Sequence, residues 1–405
     1  MCNHVVVTSI EVAHMLTLTA ARDAIDELAL ATAGGFGWWY ADIVDDKGNG
    51  IVVIAGEGLP FLPGIASAAR AGQPVLPKSR PSLMVAVYEQ GICTFYGLRE
   101  LLGRTDLPAR LQGARVDLND GLEEVVVFGD STLRFCHDDV VSRLIVDVDL
   151  DVGVGHLTGT ITVTGPQRQH DAALHTLGTP AASFADVVHR WAPQLGPARG
   201  EARLSIDGRD VVIVGSGYHD RNSARRPLHE LGIAWWVWGR AEVVVEGRAQ
   251  LRIVYACWPD GRADGDAPEA FGVVIDDVGV TTVVAVDVEV RLSRSWLRMR
   301  DVRTLRARTA DGVSFLVGEV VARVDDGPFY LRSTWRADVD AAPAATTGYL
   351  EVVEPHAVDI GWQRPFVQMK VTPPSLSLSS VWQPLFAGAR AGRVSRQVRR
   401  FLGRA

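Results

Sequence analysis

Paired cysteines are missing from this chain. Cys2, Cys93, Cys136 and Cys257 stand far apart in 405 residues with no C-x-x-C spacing. That excludes a cysteine-stapled scaffold and points to free thiols in a reducing compartment. Long apolar runs are missing too. No stretch reaches the length of a membrane-spanning helix, and the amino terminus lacks the basic and then apolar pattern of a secretion signal, so a cytoplasmic protein is expected. Positive charge is not in surplus: the formal net charge of −7 gives no footprint for nucleic acid. The ten histidines form no HExxH, and no metal or other cofactor is expected.

Helical periodicity is scarce. One helix is expected over 19–31, stopped by Gly34 and Gly35, with a helical turn near 66–70. Two further signatures fail on their surroundings. The glycines at 153, 155 and 159 precede a β-branched run, which suits a hairpin and not a dinucleotide-binding turn. Gly129-Asp130-Ser131 has no strand-to-helix elbow behind it.

What the chain has in quantity is short β-type runs separated by turns. Strands are expected at 38–42, 51–55, 82–88, 92–96, 124–128, 133–136, 140–149 and 157–164. A second series falls at 203–206, 211–214, 233–238, 241–245, 250–256, 271–275, 282–291, 302–308, 314–321, 329–337 and 348–353. Turns recur with no helix between them, which predicts an all-β protein of two tandem antiparallel barrels with few short helices. The expected boundaries are an extension over 1–35, barrels over 36–225 and 226–372, and a basic tail over 373–405.

Chemistry concentrates between Gly215 and Ala241. If the strand at 211–214 continues, Tyr218, Asp220 and Asn222 share one face while His219 and Arg221 take the other. An acid, a phenol and an amide would then point into one interior close to Trp236 and Trp238. The same residues also suit a turn, and such polar groups equally well satisfy only one another. His189 and Trp191 share a face if their segment is extended; a loop tryptophan with a surface histidine is the other reading.

Several passages in order carry a resemblance. They are GFGWWYADIVDDKGNGIVVIAGEGLPFLPG from Gly35, HRWAP at 189–193, GYHDRN at 217–222, PLHE leading to WVWGRA at 227–241, and DDGPFYLRS at 325–333. Together they resemble the carotenoid 1,2-hydratases, the hydroxyneurosporene synthase family. The resemblance implies lipocalin-like barrels and a cofactor-free hydro-lyase that adds water to the terminal double bond of an acyclic carotenoid such as neurosporene or lycopene. It implies a His-x-Trp pair at His189 and Trp191 and a Tyr-x-Asp pair at Tyr218 and Asp220, with Asp220 the proton donor. Trp39, Trp236 and Trp238 are then expected to contact a lipophilic polyene, and Asn222 and Arg240 to fix Asp220; Arg240 also suits a structural ion pair. Double-barrel pericyclases and a lipid carrier without turnover remain alternatives on the same fold. The tail after Trp382 carries Arg390, Arg393, Arg396, Arg399, Arg400 and Arg404 with no acidic residue, as interfacial helices on anionic membranes do.

Overall fold

The structure, a computed structural model, describes residues 16–18, 25–101, 114–118, 121–138, 140–152, 155–167, 189–263, 265–294, 299–339, 344–366 and 371–372. The first unit runs through β1 (Leu16–Leu18), helix α1 (Glu27–Ala31), β2 (Phe36–Val44), β3 (Gly50–Glu57), helix α2 (Ile65–Arg70), β4 (Pro81–Glu89) and β5 (Ile92–Glu100). It continues through β6 (Ala114–Leu118), β7 (Gly121–Phe128), β8 (Ser131–His137), β9 (Val141–Asp151), β10 (His156–Pro166), β11 (His189–Ile206) and β12 (Arg209–Ala224). The second comprises β13 (Ile233–Val245), β14 (Arg248–Pro259), β15 (Glu269–Asp276), β16 (Thr281–Arg294), β17 (Arg300–Thr309), β18 (Ser314–Asp326), β19 (Tyr330–Asp338) and β20 (Thr346–Val353). A last strand, β21 (Val371–Thr372), returns to the first sheet beside β5.

The all-β, lipocalin-like expectation holds. Strands β13 to β20 close into an eight-stranded antiparallel barrel, and the earlier strands form one curled sheet in the order β21-β5-β4-β3-β2-β12-β11-β10-β9-β8-β7-β6, with β1 beside β11. The first unit is therefore a curled half-barrel among the described residues, and only the second is a closed barrel. Tight hairpins join neighbouring strands. Asp207-Gly208 and Glu246-Gly247 both take positive φ at two successive residues, which matches the right-handed twist of the strands they join and requires glycine at the second place.

Three apolar cores result. One fills the inside of the curled sheet, with Trp39, Ile43, Val53, Phe128 and Phe135. Another fills the closed barrel, with Trp235, Val237, Trp258, Phe315 and Trp335. The third lies between the units, where the other face of the sheet meets the outer wall of the barrel through Trp38, Tyr40, Trp236, Trp238 and Tyr255. This arrangement explains the sequence texture. Strands β2, β12 and β13 are buried on both faces over their central residues and read as continuous apolar and aromatic runs. Strand β9, with one face in water, alternates strictly.

A buried polar seam crosses the same interface. Arg240 on the barrel pairs with Asp42 on the sheet and reaches Ser216 Oγ at 3.1 Å. Arg332 donates to Glu351 at 2.9 Å, to Tyr88 at 2.8 Å and to Asp325 at 3.1 Å. The backbones come close here: a side chain at Gly50 would collide with the Tyr349 hydroxyl.

The expected helix over 19–31 shortens to α1, capped by Asp26, whose carboxylate accepts from the Leu28 amide at 3.1 Å; positions 19–24 lie outside the described residues. The glycine-rich segment at 153–159 falls at the junction of the antiparallel pair β9 and β10. Cys93, Cys136 and Cys257 are free. Among the described residues no helix is long and apolar enough to cross a membrane, and no group of three or more His, Cys, Asp or Glu side chains is placed to hold a metal ion. The basic tail lies outside the described residues.

Candidate active site

Three strands of the sheet present the site. In β12 the alternation puts Tyr218, Asp220 and Asn222 on the face toward the barrel, and the strand pairing sets Tyr40 opposite Asp220 and Trp38 opposite Asn222 on β2. On the other side β11 sets Trp191 opposite Asn222 and Pro193 opposite Asp220. Trp191 is thus the diagonal neighbour of Asp220, a spacing that an aromatic side chain spans. The extended reading of the 189–193 segment is the one observed. His219 and Arg221 point the opposite way: His219 Nδ1 bonds the Tyr40 carbonyl at 2.7 Å, and Arg221 donates to Glu124 at 2.8 Å.

Asp220 is the chemical centre of this face. It is 4 % exposed and receives three hydrogen bonds. Trp191 Nε1 and the Tyr218 hydroxyl donate to Oδ2 at 2.7 and 2.9 Å, and Asn222 Nδ2 donates to Oδ1 at 2.7 Å. Burial is the largest influence on its pKa and outweighs the Trp191 and Tyr218 bonds that favour the anion, so the carboxyl is pushed up to about 8. The group is mostly protonated at neutral pH. Its Oδ2 already accepts two donors, which leaves Oδ1 as the oxygen to carry the proton.

His189 stands beside it, 2 % exposed, its ring packed 5.5 Å from Trp38 and 5.9 Å from Trp236. Burial lowers its pKa to about 4, opposed by the nearness of Asn222, so it is a neutral imidazole near pH 7. No hydrogen bond of ordinary geometry reaches either ring nitrogen; the Asn222 influence is a matter of proximity, and both nitrogens keep their capacity for a ligand or water.

These groups open into a cavity between the units. Its walls are Trp38, Tyr40, Ile54 and Phe61 with His189, Trp191, Asp220 and Asn222 on the sheet side, and Trp236, Trp238, Tyr255, Tyr330, Glu351 and Val353 on the barrel side. Counted out to its open mouth the space is about 480 Å³, of which about 50 Å³ is wide enough for water-sized centres. Aromatic rings dominate the surface, and Phe61 from the segment before α2 stacks on Phe329 at 5.7 Å. That segment is tied to the far unit, since Asp359 accepts from the Gly64 and Ser67 amides at 2.9 and 3.0 Å.

Some sequence-derived positions fall elsewhere. Trp39 pairs with Arg221 in the strand register and packs against Phe128 inside the curled sheet, so it lies on the face away from the cavity; Trp38 occupies the expected place. Arg240 makes no bond to Asp220. It pairs with Asp42 and sits 5.6 Å from the Tyr218 ring centre, behind the acid and not in the cavity wall. Tyr218 does not line the cavity either and holds Asp220 from below. Sequence reasoning missed Tyr40, Tyr255, Tyr330 and Glu351. Tyr330 lies within the DDGPFYLRS passage, and Glu351 alternates with Tyr349 and Val353 along one face of β20, a period-two signal that could have found it.

Fold and site together define a lipocalin-like protein that holds a neutral carboxylic acid at the edge of an aromatic cavity. The sequence model of the Carotenoid hydratase CrtC family matches residues 112–374, more than half of the chain, and the chain belongs to that family. Membership supports a hydratase, that is a hydro-lyase, function. No curated protein sequence matches the chain significantly. Solved structures with similar folds include an AttH candidate from Nitrosomonas europaea, at 15% identity over 79% of this chain and 92% of that one with a TM-score of 0.46. CghA aligns at 13% identity over 81% and 89% with a TM-score of 0.49. Kievitone hydratase from Nectria haematococca aligns at 10% over 85% and 98% with a TM-score of 0.39. Identities this low compare architecture alone.

Proposed function

We propose that this chain is a cofactor-free hydro-lyase that adds water across the terminal trisubstituted double bond of an acyclic isoprenoid of the carotenoid type, neurosporene and lycopene being the reference substrates. The observation that carries the reading is a buried Asp220, protonated near neutral pH and fixed by three donors, at the edge of an aromatic cavity. In the first step the Oδ1 proton passes to the less substituted alkene carbon, the π pair forms the new C–H bond, and a tertiary cation remains on the neighbouring carbon. A carboxyl with a raised pKa is a weak acid, so proton transfer alone is too uphill to supply the rate.

The cavity walls offset this. The ring faces of Trp38, Trp191, Trp236 and Trp238 surround the place where the cation forms, and each desolvated cation–π contact is worth ~2 kcal/mol or more. Water then adds to the cation. Neutral His189 orients it and accepts its surplus proton, or passes that proton to the Asp220 carboxylate, which restores the starting acid. Tyr218 and Asn222 are positioning residues that hold the carboxyl. Arg240 acts one layer further back, through the seam.

Incubation of the purified protein with neurosporene or lycopene in detergent micelles tests the reading. A product heavier by one water, with a tertiary alcohol at the chain end, supports it. A product of unchanged mass moves the assignment to a cyclase, and binding of these polyenes without turnover moves it to a carrier. We also propose that the arginine-rich tail meets an anionic membrane, where such substrates dissolve. Deleting residues 388–405 should abolish binding to anionic vesicles, and unchanged binding would refute it.

A further inference from the structure

Three hydrogen-bond donors on the barrel wall of the cavity have no acceptor in the protein. They are Trp238 Nε1 and the hydroxyls of Tyr255 and Tyr330, on side chains 5, 3 and 6 % exposed, and all three residues line the cavity. Trp238 and Tyr255 stand directly opposite each other on β13 and β14, and Tyr330 faces Val353 across β19 and β20. Burial holds both phenols well above their ordinary pKa, so they remain protonated donors across the whole working pH range. The acid and the imidazole project from the sheet wall opposite.

A pure hydrocarbon in this space would leave every one of these donors unmatched and dry. Each buried donor without an acceptor weakens binding by on the order of tenfold. Apolar packing of Ile54, Phe61, Trp236 and Val353 suits an alkyl chain, yet the Trp238, Tyr255 and Tyr330 donors ask for an oxygen acceptor. Packed sheets face each other across ~10 Å, so that oxygen would lie about that far from the alkene carbon that meets Asp220.

Resting on the hydratase reading above, we infer that the preferred substrate is an oxygenated acyclic isoprenoid and not a hydrocarbon. Its terminal double bond meets Asp220 on the sheet wall, and a hydroxyl or carbonyl oxygen further along the chain accepts from Trp238, Tyr255 or Tyr330 on the barrel wall. Tyr255 and Tyr330 thereby act as specificity residues, taking no part in the proton transfer.

The test compares farnesol with β-farnesene, a C15 pair that shares the terminal alkene and differs in the oxygen. Binding is read by quenching of tryptophan fluorescence in the wild type, Tyr255→Phe, Tyr330→Phe and the double variant. The wild type should bind farnesol at least tenfold more tightly than farnesene. Each phenylalanine should cut that ratio several-fold, and the double variant should bring it near one. Equal binding, binding of neither compound, or a preference that survives both substitutions overturns the inference. The same binding assay on Asp220→Asn separates the two claims. A tyrosine-dependent preference without any hydration would sink the hydratase reading and leave this one standing, whereas hydration of hydrocarbons with no preference would do the reverse.

Discussion

Replacing Asp220 with asparagine keeps the shape of the site and removes its proton. The amide oxygen takes the place of Oδ2 and still accepts from Trp191 and Tyr218, and a flip of the Asn222 amide restores the third bond. The folded protein holds the Asp220 proton up to about pH 8 against an ordinary value of 3.8. A folded-state pKa raised above the unfolded one means that the native state binds more protons between those limits, so stability falls as pH rises from about 4 to about 8 and levels off beyond. About four pH units correspond to a contribution on the order of 5 kcal/mol. Other buried groups titrate as well, His189 and His219 among them, but they are common to both proteins. The difference between wild type and Asp220→Asn in urea denaturation, measured from pH 4 to pH 9, isolates the one group. The variant should gain relative stability steadily across that range, by several kcal/mol in total, while losing turnover at every pH. A difference that stays flat with pH would refute the protonated acid, whatever the activity shows.

Further outcomes follow from the same geometry. Activity in the wild type should be level between about pH 4 and pH 8, falling below as His189 takes a proton and above as Asp220 loses one; a rate profile that rises through pH 8 contradicts the assignment. Trp191→Phe keeps the ring and removes the bond that favours the Asp220 anion, so the alkaline limb should move up by about one unit. Arg240→Met leaves Asp42 buried without its partner and should cost about 3–5 kcal/mol by chemical denaturation without moving that limb. Trp39→Ala should lower stability by about 3–5 kcal/mol and leave polyene affinity as it was, whereas Trp38→Ala should weaken the affinity too. Gly50→Ala should drive the sheet from the barrel at Tyr349, at a cost of about 1–3 kcal/mol.

Much of this architecture is legible in the sequence because period-two patterning and turn residues are local. The common face of Tyr218, Asp220 and Asn222 follows from strand alternation alone, and β12 obeys it. Trp39 was misplaced because β2 is buried on both faces: in a run of Trp38, Trp39 and Tyr40 hydrophobicity no longer tells the faces apart, and only the pairing of Trp38 with Asn222 and of Trp39 with Arg221 decides. Closure of the barrel rests on β13 meeting β20 across more than a hundred residues, and no local pattern records it. The same holds for the cavity, which lies inside neither barrel but between the sheet and the barrel's outer wall. Glu351 and Tyr330 come to Asp220 only through that packing, and Arg240 meets Asp42 for the same reason.

The most direct test of the central claim is isotopic. Wild type and Asp220→Asn are each incubated with neurosporene or lycopene in deuterated, oxygen-18 water, and the products are weighed by mass spectrometry. If Asp220 delivers the proton, the wild-type product carries deuterium on the less substituted carbon and oxygen-18 on its tertiary neighbour, and the variant makes none. Doubly labelled product from Asp220→Asn, or a wild-type product with neither label, would contradict it.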